Sequence, residues 1–311
     1  MNPKSNPLLV AQLFAALCVI VVSGVQSTAN EVTLEDNTIL VAFDSDSGAL
    51  TRLEDKATHW VIERRPELGA SFRLFAPLPD RRYNPVFGQN QHAVEVKKVS
   101  DSEVHLQWKN LASENGGALP MTLTAVVTLT NGALTFGATL ENDSPLTVET
   151  IDYPYFGDFN PPARDSSLEA RTLRDNKLDD LQSDEVYPHF RNEKGYWGVD
   201  FPTKTLEAQQ SLFCLLQAPD QGLYVEMDNP KPAYRLQYTF EQHPGVISGV
   251  NNLVPQTDNI SGWPVHLEFR LCHFIFAKPH STTRLVPIVL RCYQGDWHAG
   301  VDLYRRNDPI H

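Results

Sequence analysis

The sequence predicts an all-β protein: a large antiparallel β-sandwich followed by one short C-terminal helix. Three observations carry this reading. From Glu31 onward, apolar and polar residues alternate with a period of two, the pattern of half-buried strands. Turn residues punctuate the alternation, above all Asp44-Ser45-Asp46-Ser47-Gly48 and Asn131-Gly132. A convincing helical period occurs once, where Trp297, Val301 and Tyr304 fall at i, i+4 and i+7.

The first 29 residues read as a signal peptide. Lys4 supplies the positive start, Leu8 to Val22 is apolar apart from Gln12, and Ser27-Thr28-Ala29 offers small residues before a cut at Asn30. Export is therefore expected, to the periplasm or beyond the cell, with membrane contact confined to this leader.

Residues 30–294 read as the sandwich. Ile39 to Phe43, the Asp/Ser/Gly turn and Ala49 to Leu53 make a strand-turn-strand unit. Glu103 to Lys109 alternates without a break, and Met121 to Thr130 places threonines on one face. Asn131-Gly132 then turns the chain, because both residues tolerate positive φ, and Ala133 to Leu140 returns as the partner strand. Further strands are expected at 145–152, 211–217, 222–227, 233–240, 264–277 and 283–293. Residues 153–206 break the rhythm: they are rich in Pro, Asp, Asn and aromatics and read as a long irregular segment, of the kind that carries function. About ten or more strands and few helices mean a large sandwich. Residues 295–311 start a helix, with Asp296 as its cap, and Asn307-Asp308-Pro309 stops it.

Composition narrows the partners. The formal net charge of −12 over 311 residues, with no Lys/Arg stripe, excludes nucleic acid. Cys214, Cys272 and Cys292 each lie in an apolar strand-like run and read as buried thiols. A Cys272–Cys292 bridge between neighbouring strands stays open at this point. No CxxC or HxxxH spacing points to zinc, so neither metal nor cofactor is expected.

Acid–base chemistry on a sugar needs paired carboxyl groups or a carboxylate and a histidine. The carboxylate pairs Glu226/Asp228, Asp179/Asp180 and Asp296/Asp302 have no diagnostic spacing and read as surface charge, so no catalytic residue is assigned. Among His189, His243, His273 and His298, His189 stands out for its place in the aromatic segment, whereas His273 reads as a core histidine. A sugar-binding patch needs an aromatic face beside polar groups. Tyr196 and Trp197, with Arg191 and His189 and with Asn192 and Asp200 nearby, form the best such cluster.

Three stretches carry a resemblance. Ile39 to Lys56 resembles the opening hairpin of the galactose-mutarotase-like β-supersandwich domains that precede catalytic barrels in glycoside hydrolases. Gln210 to Phe213 with Gln221 to Asp228 resembles their central strands. Tyr293-Gln294-Gly295-Asp296-Trp297-His298 with Tyr304-Arg305 resembles the segment leading into the barrel in uncharacterised glycoside-hydrolase-like bacterial proteins. The resemblance implies a carbohydrate-associated N-terminal domain, with a poly- or oligosaccharide as partner and a barrel that would follow residue 311. It implies no hydrolysis by this domain itself. A free-standing hydrolase or sugar epimerase, and a structural fragment that binds nothing, remain as alternatives. A fragment would leave the apolar face of Trp297, Val301 and Tyr304 uncovered.

Overall fold

The computed structural model describes residues 31–163, 166–174, 177–187, 203–208, 211–228, 233–243 and 264–307. In chain order the strands are β1 (Glu31–Glu35), β2 (Ile39–Asp44), β3 (Leu50–Asp55), β4 (Trp60–Glu63), β5 (Arg73–Phe75), β6 (Pro85–Phe87) and β7 (Glu95–Ser100). There follow β8 (Glu103–Ser113), β9 (Gly117–Thr130), β10 (Ala133–Asn142), β11 (Thr150–Phe156), β12 (Leu168–Arg174), β13 (Lys177–Tyr187) and β14 (Thr203–Glu207). The last are β15 (Phe213–Gln217), β16 (Gln221–Met227), β17 (Arg235–His243), β18 (His266–Phe274), β19 (Ser281–Arg284) and β20 (Ile288–Gln294), before helix α1 (Trp297–Asn307).

Strands β1 to β4 form a meander. A ten-stranded sheet runs β13-β12-β15-β16-β20-β10-β9-β8-β7, with β19 also paired to β10, and a six-stranded sheet runs β14-β17-β18-β11-β5-β6. The alternation in the sequence sets the register. Val104, Val127 and Phe136 stand in one row across β8, β9 and β10, and Leu106, Ala125 and Ala138 in the next; all are buried. Thr122, Thr124 and Thr128 fall on the other face of β9, as the period requires. Asn131 and Gly132 take φ of 50° and 72°, so the two-residue turn is built on the left-handed geometry that Asn-Gly tolerates.

Aromatic rings join the two large sheets. Phe136 of β10 meets Tyr153 and Phe156 of β11 edge-on, and Phe156 stacks on Phe269 of β18, which stacks in turn on Phe240 of β17. The meander is tied in by Trp60, whose indole N–H donates to the Asn160 carbonyl at 2.9 Å. His273 is fully buried: one ring nitrogen lies 2.9 Å from the Tyr234 hydroxyl and the other 2.7 Å from the Tyr153 carbonyl oxygen. It is the core histidine that the alternation predicts.

Several expectations are corrected. The segment 153–206 is not one irregular stretch, because β11 continues through Phe156, β12 and β13 form a hairpin, and β14 begins at Thr203. Strand β13 is the edge of the ten-stranded sheet, and Gln182, Ser183, Asp184 and Glu185 give it the polar character of an exposed edge rather than of a loop. The strand expected at 283–293 is two strands, β19 and β20, separated at Pro287, which has no N–H to give a ladder. Cys272 and Cys292 lie in different sheets, and all three described cysteines are free thiols.

Of the apolar face of helix α1, Val301 and Tyr304 are covered and Trp297 is half-buried. Asp296 caps it, accepting the His298 backbone N–H at 3.0 Å. Val301 and Tyr304 are buried against Phe213, Leu215, Tyr224 and Tyr293 on the outer face of β15, β16 and β20. Close approach depends on Gly300, where a Cβ would lie 2.8 Å from Leu215 Cδ2 and 2.9 Å from Tyr293 Cζ.

Two outcomes follow from this packing. Tyr304→Ala removes a ring 5.1 Å from that of Phe213 and is expected to cost about 2–3 kcal/mol in urea denaturation; no change would mean that the helix does not dock. Burial pushes the His273 imidazole down to about 4, whereas in the unfolded chain it titrates near 6.5. Its contribution to stability is therefore full above pH 6.5 and is lost as pH falls towards 4, because only the unfolded chain takes the proton in that window. An NMR titration is expected to find His273 neutral at pH 5 in the folded protein.

Candidate functional site

The six-stranded sheet has one apolar and one polar face, and the polar face holds the candidate site. On β18, Leu267, Phe269, Leu271 and His273 are buried on the core side, while His266, Glu268 and Arg270 alternate with them on the other. On β17, Leu236, Tyr238, Phe240 and Gln242 point to the core, and Thr239, Glu241 and His243 to the polar side. The register sets Glu241 opposite Glu268, His243 opposite His266 and Thr239 opposite Arg270. A bulge in β11 between Asp152 and Tyr155 brings Tyr155 opposite Arg270, and Asp152 pairs with Arg73 of β5.

These side chains form one network. Arg73 Nε donates to Asp152 Oδ2 at 2.7 Å, and Arg270 Nε lies 3.2 Å from the same oxygen. Arg270 also donates to Glu241 Oε2 at 2.5 Å and to Glu268 Oε2 at 3.2 Å. The Tyr155 hydroxyl donates to Glu268 Oε2 at 2.6 Å. His243 Nε2 sits 3.4 Å from Glu241 Oε1 and 3.4 Å from Glu268 Oε2, and its ring stacks on His266 with centroids 4.8 Å apart. His266 Nδ1 lies 2.8 Å from the Gly157 carbonyl oxygen, the distance of an N–H donated to it.

Three cations, Arg73, Arg270 and His243, thus face three carboxylates, Asp152, Glu241 and Glu268. Arg270 is 6% exposed and Asp152 1%, whereas His243 is 31% exposed, so the network is anchored deep and opens at the His243 end. That gradient shapes the titration. Burial alone would lower the His243 pKa, but its ion pairs with Glu241 and Glu268 outweigh this and hold it at about 9. Burial would raise both carboxyl groups; His243 and Arg270, with Tyr155 in the case of Glu268, instead hold them below the usual range. His266 goes the other way, pushed down by burial and by the charge of His243.

Beside the charges runs a ladder of aromatic rings and guanidinium groups. Arg270 lies 5.7 Å from the Tyr155 ring centroid, Arg73 lies 5.9 Å from Tyr155 and 5.2 Å from Phe75, and the Phe75 ring is 5.8 Å from that of Tyr83. Tyr83 is 57% exposed, so the ladder ends in an accessible ring.

Glu241, His243 and Glu268 offer ligand atoms within 4.8 Å of one another, a spacing that could hold a metal ion. The cation between the two carboxylates is already supplied by Arg270, whose guanidinium reaches both. The set fits a guanidinium-centred ion cluster better than a metal centre.

The residues singled out from sequence fare differently. His189, Arg191, Tyr196 and Trp197, with Asn192 and Asp200, lie outside the described residues. Of the other histidines, His243 is at the centre of the network, His273 is in the core, and His298 is exposed with Nδ1 3.0 Å from Asp296 Oδ2. Asp296 caps α1 and Asp302 pairs with Arg305 at 3.2 Å. Glu226 accepts the Tyr224 hydroxyl at 2.5 Å. Arg73, Asp152, Tyr155, Glu241, Glu268 and Arg270 were missed. A signal existed for β17 and β18, where charged residues sit at every second position opposite Leu and Phe.

No family model and no curated protein matches the chain. Solved structures do. A galactose mutarotase-like protein from Lactobacillus casei ATCC 334 aligns over 85% of this chain and 99% of its own, with TM-score 0.48 and 14% identity. A putative aldose 1-epimerase from Escherichia coli K12 aligns over 85% and 99%, with TM-score 0.50 and 13% identity. The α-galactosidase from Lactobacillus brevis aligns over 88% of this chain and 40% of its own, with TM-score 0.51 and 7% identity. At such identities the likeness speaks for the fold. The chain has the galactose-mutarotase-like β-supersandwich fold, one found in carbohydrate-related proteins.

Proposed function

We propose that this chain is an exported, carbohydrate-associated domain that binds a sugar on the polar face of its six-stranded sheet without breaking bonds in it. The observation that carries this is the joining of an accessible aromatic ladder to a balanced set of carboxylates and guanidinium groups. Sugar hydroxyls both donate and accept, so they suit carboxylate acceptors beside guanidinium donors, while the C–H face of a pyranose suits an exposed ring such as Tyr83. The neighbours whose names refer to sugars, an epimerase and an α-galactosidase, support the class of ligand. The chain corresponds to 40% of the α-galactosidase, which supports an accessory role beside a catalytic domain.

Electrostatics argues against chemistry at this face. A general acid and base work best with pKa values near the working pH. Here the proton of His243 is held to about 9 and the neighbouring carboxyl groups are held low. The acid yields its proton reluctantly and the bases accept one reluctantly. One observation favours a second reading, aldose 1-epimerase activity: a partly exposed histidine flanked by two carboxylates is the group set that ring opening needs.

A glycan array followed by calorimetry on the mature chain tests the proposal. Binding is expected, weakened about 3- to 10-fold by Tyr83→Ala and about 10-fold or more by Glu241→Gln; no binding to any glycan defeats it. Polarimetry with α-D-glucose and α-D-galactose is expected to show only the spontaneous rate, and a faster rate abolished by His243→Asn would establish the second reading instead. An NMR titration is expected to keep His243 protonated past pH 8, with a lower pKa in Glu268→Gln. Its contribution to stability is full below about 6.5 and is lost as pH rises through about 9.

A further inference from the structure

On the other sheet, where α1 meets the ends of β12 and β15, lies a cavity of about 230 Å³. Its walls include Glu169 and Arg171 of β12, Gln217 of β15, Pro219, and Asp296 and Trp297 at the start of the helix. The sequence pattern explains Trp297 only as part of the helix's packing face. Val301 and Tyr304 are buried, but Trp297 remains half-buried and its indole lines the cavity.

The polar groups there are positioned by bonds of their own. Gln217 is a fixed wall: its side-chain carbonyl accepts the Tyr293 hydroxyl at 2.5 Å and its amide donates to the Gly295 carbonyl at 3.3 Å. Glu169 Oε2 accepts from Arg171 Nη2 and from Ser183 Oγ, both at 2.7 Å. Arg171 Nε is buried and makes no hydrogen bond among the described residues, an unmet donor that normally finds a partner. His298 stacks on the Trp297 ring, centroids 3.6 Å apart at 26°, and so holds its orientation.

We propose that this cavity is a second ligand site that takes one neutral hexose unit. An indole wall offers the apolar surface on which a pyranose C–H face stacks. The carboxylates of Glu169 and Asp296 offer acceptors for its hydroxyls, and the quarter-exposed guanidinium of Arg171 offers donors. The volume lies below the ~300–1,000 Å³ of sites that enclose drug-sized ligands, which suits a single ring rather than an enclosed chain. Two carboxylates against one guanidinium disfavour anionic ligands such as uronates and sugar phosphates. The site shares no residue with the six-stranded face and stands whether or not that face binds sugar.

The test is ligand-observed NMR of the mature chain with D-glucose, D-galactose and D-mannose, each to about 50 mM. Binding is expected for at least one in the Tyr83→Ala/Glu241→Gln double variant, in which the six-stranded face is disabled, and adding Trp297→Ala or Glu169→Gln to it is expected to weaken that binding 10-fold or more. Glu169→Gln leaves the helix interface untouched, so its effect is separable from loss of folding. The proposal is overturned if none of the three binds. It is equally overturned if binding in the double variant survives both cavity substitutions, or if the double variant alone abolishes binding, which would place the sugar on the other sheet alone.

Discussion

The constraint on which the molecule rests is the two-sided character of strands β17 and β18. Phe240 and Phe269 stack into the core on one side, and Glu241, Glu268 and Arg270 meet on the other, one residue away. A guanidinium as buried as Arg270 needs carboxylate partners, since an unpaired charge at that depth would cost several kcal/mol. The partners come from β11, β17 and β18 itself. A register slip of one residue would bury these charges and expose the phenylalanines, so the ion network and the aromatic core specify the same pairing.

This coupling also supports the proposal that the face is a recognition surface. Charges that hold one another this firmly are fixed in position before any ligand arrives, which lowers the entropic cost of binding. The same firmness keeps protons where they are. Preorganisation for hydrogen bonding and readiness for proton transfer pull the local electrostatics in opposite directions, and the proposed binding role rests on the first.

The fold was legible because it depends on local periodicity: the Asn131-Gly132 hairpin, the threonine face of β9 and the cap at Asp296 all follow from short-range rules. Strand β13 was not, since an edge strand exposed to water carries the composition of a loop. The site was legible only in part. His243 was recognisable as a candidate, but Arg73, Asp152 and Arg270 lie up to 197 positions apart and are joined by sheet register, to which a single sequence gives no access. The bulge that turns Tyr155 into the network contains Tyr153-Pro154, which in the sequence opens the segment that breaks the strand rhythm.

The three thiols among the described residues give the fold a particular relation to its chemical surroundings. Burial pushes the pKa of Cys214, Cys272 and Cys292 upward, so each stays protonated at neutral pH. Disulfide exchange requires a thiolate. Among the described residues no disulfide ties the fold together, and these three thiols are held in the protonated form that does not exchange. Among those residues, resistance to unfolding is drawn from packing and polar pairing rather than from a crosslink.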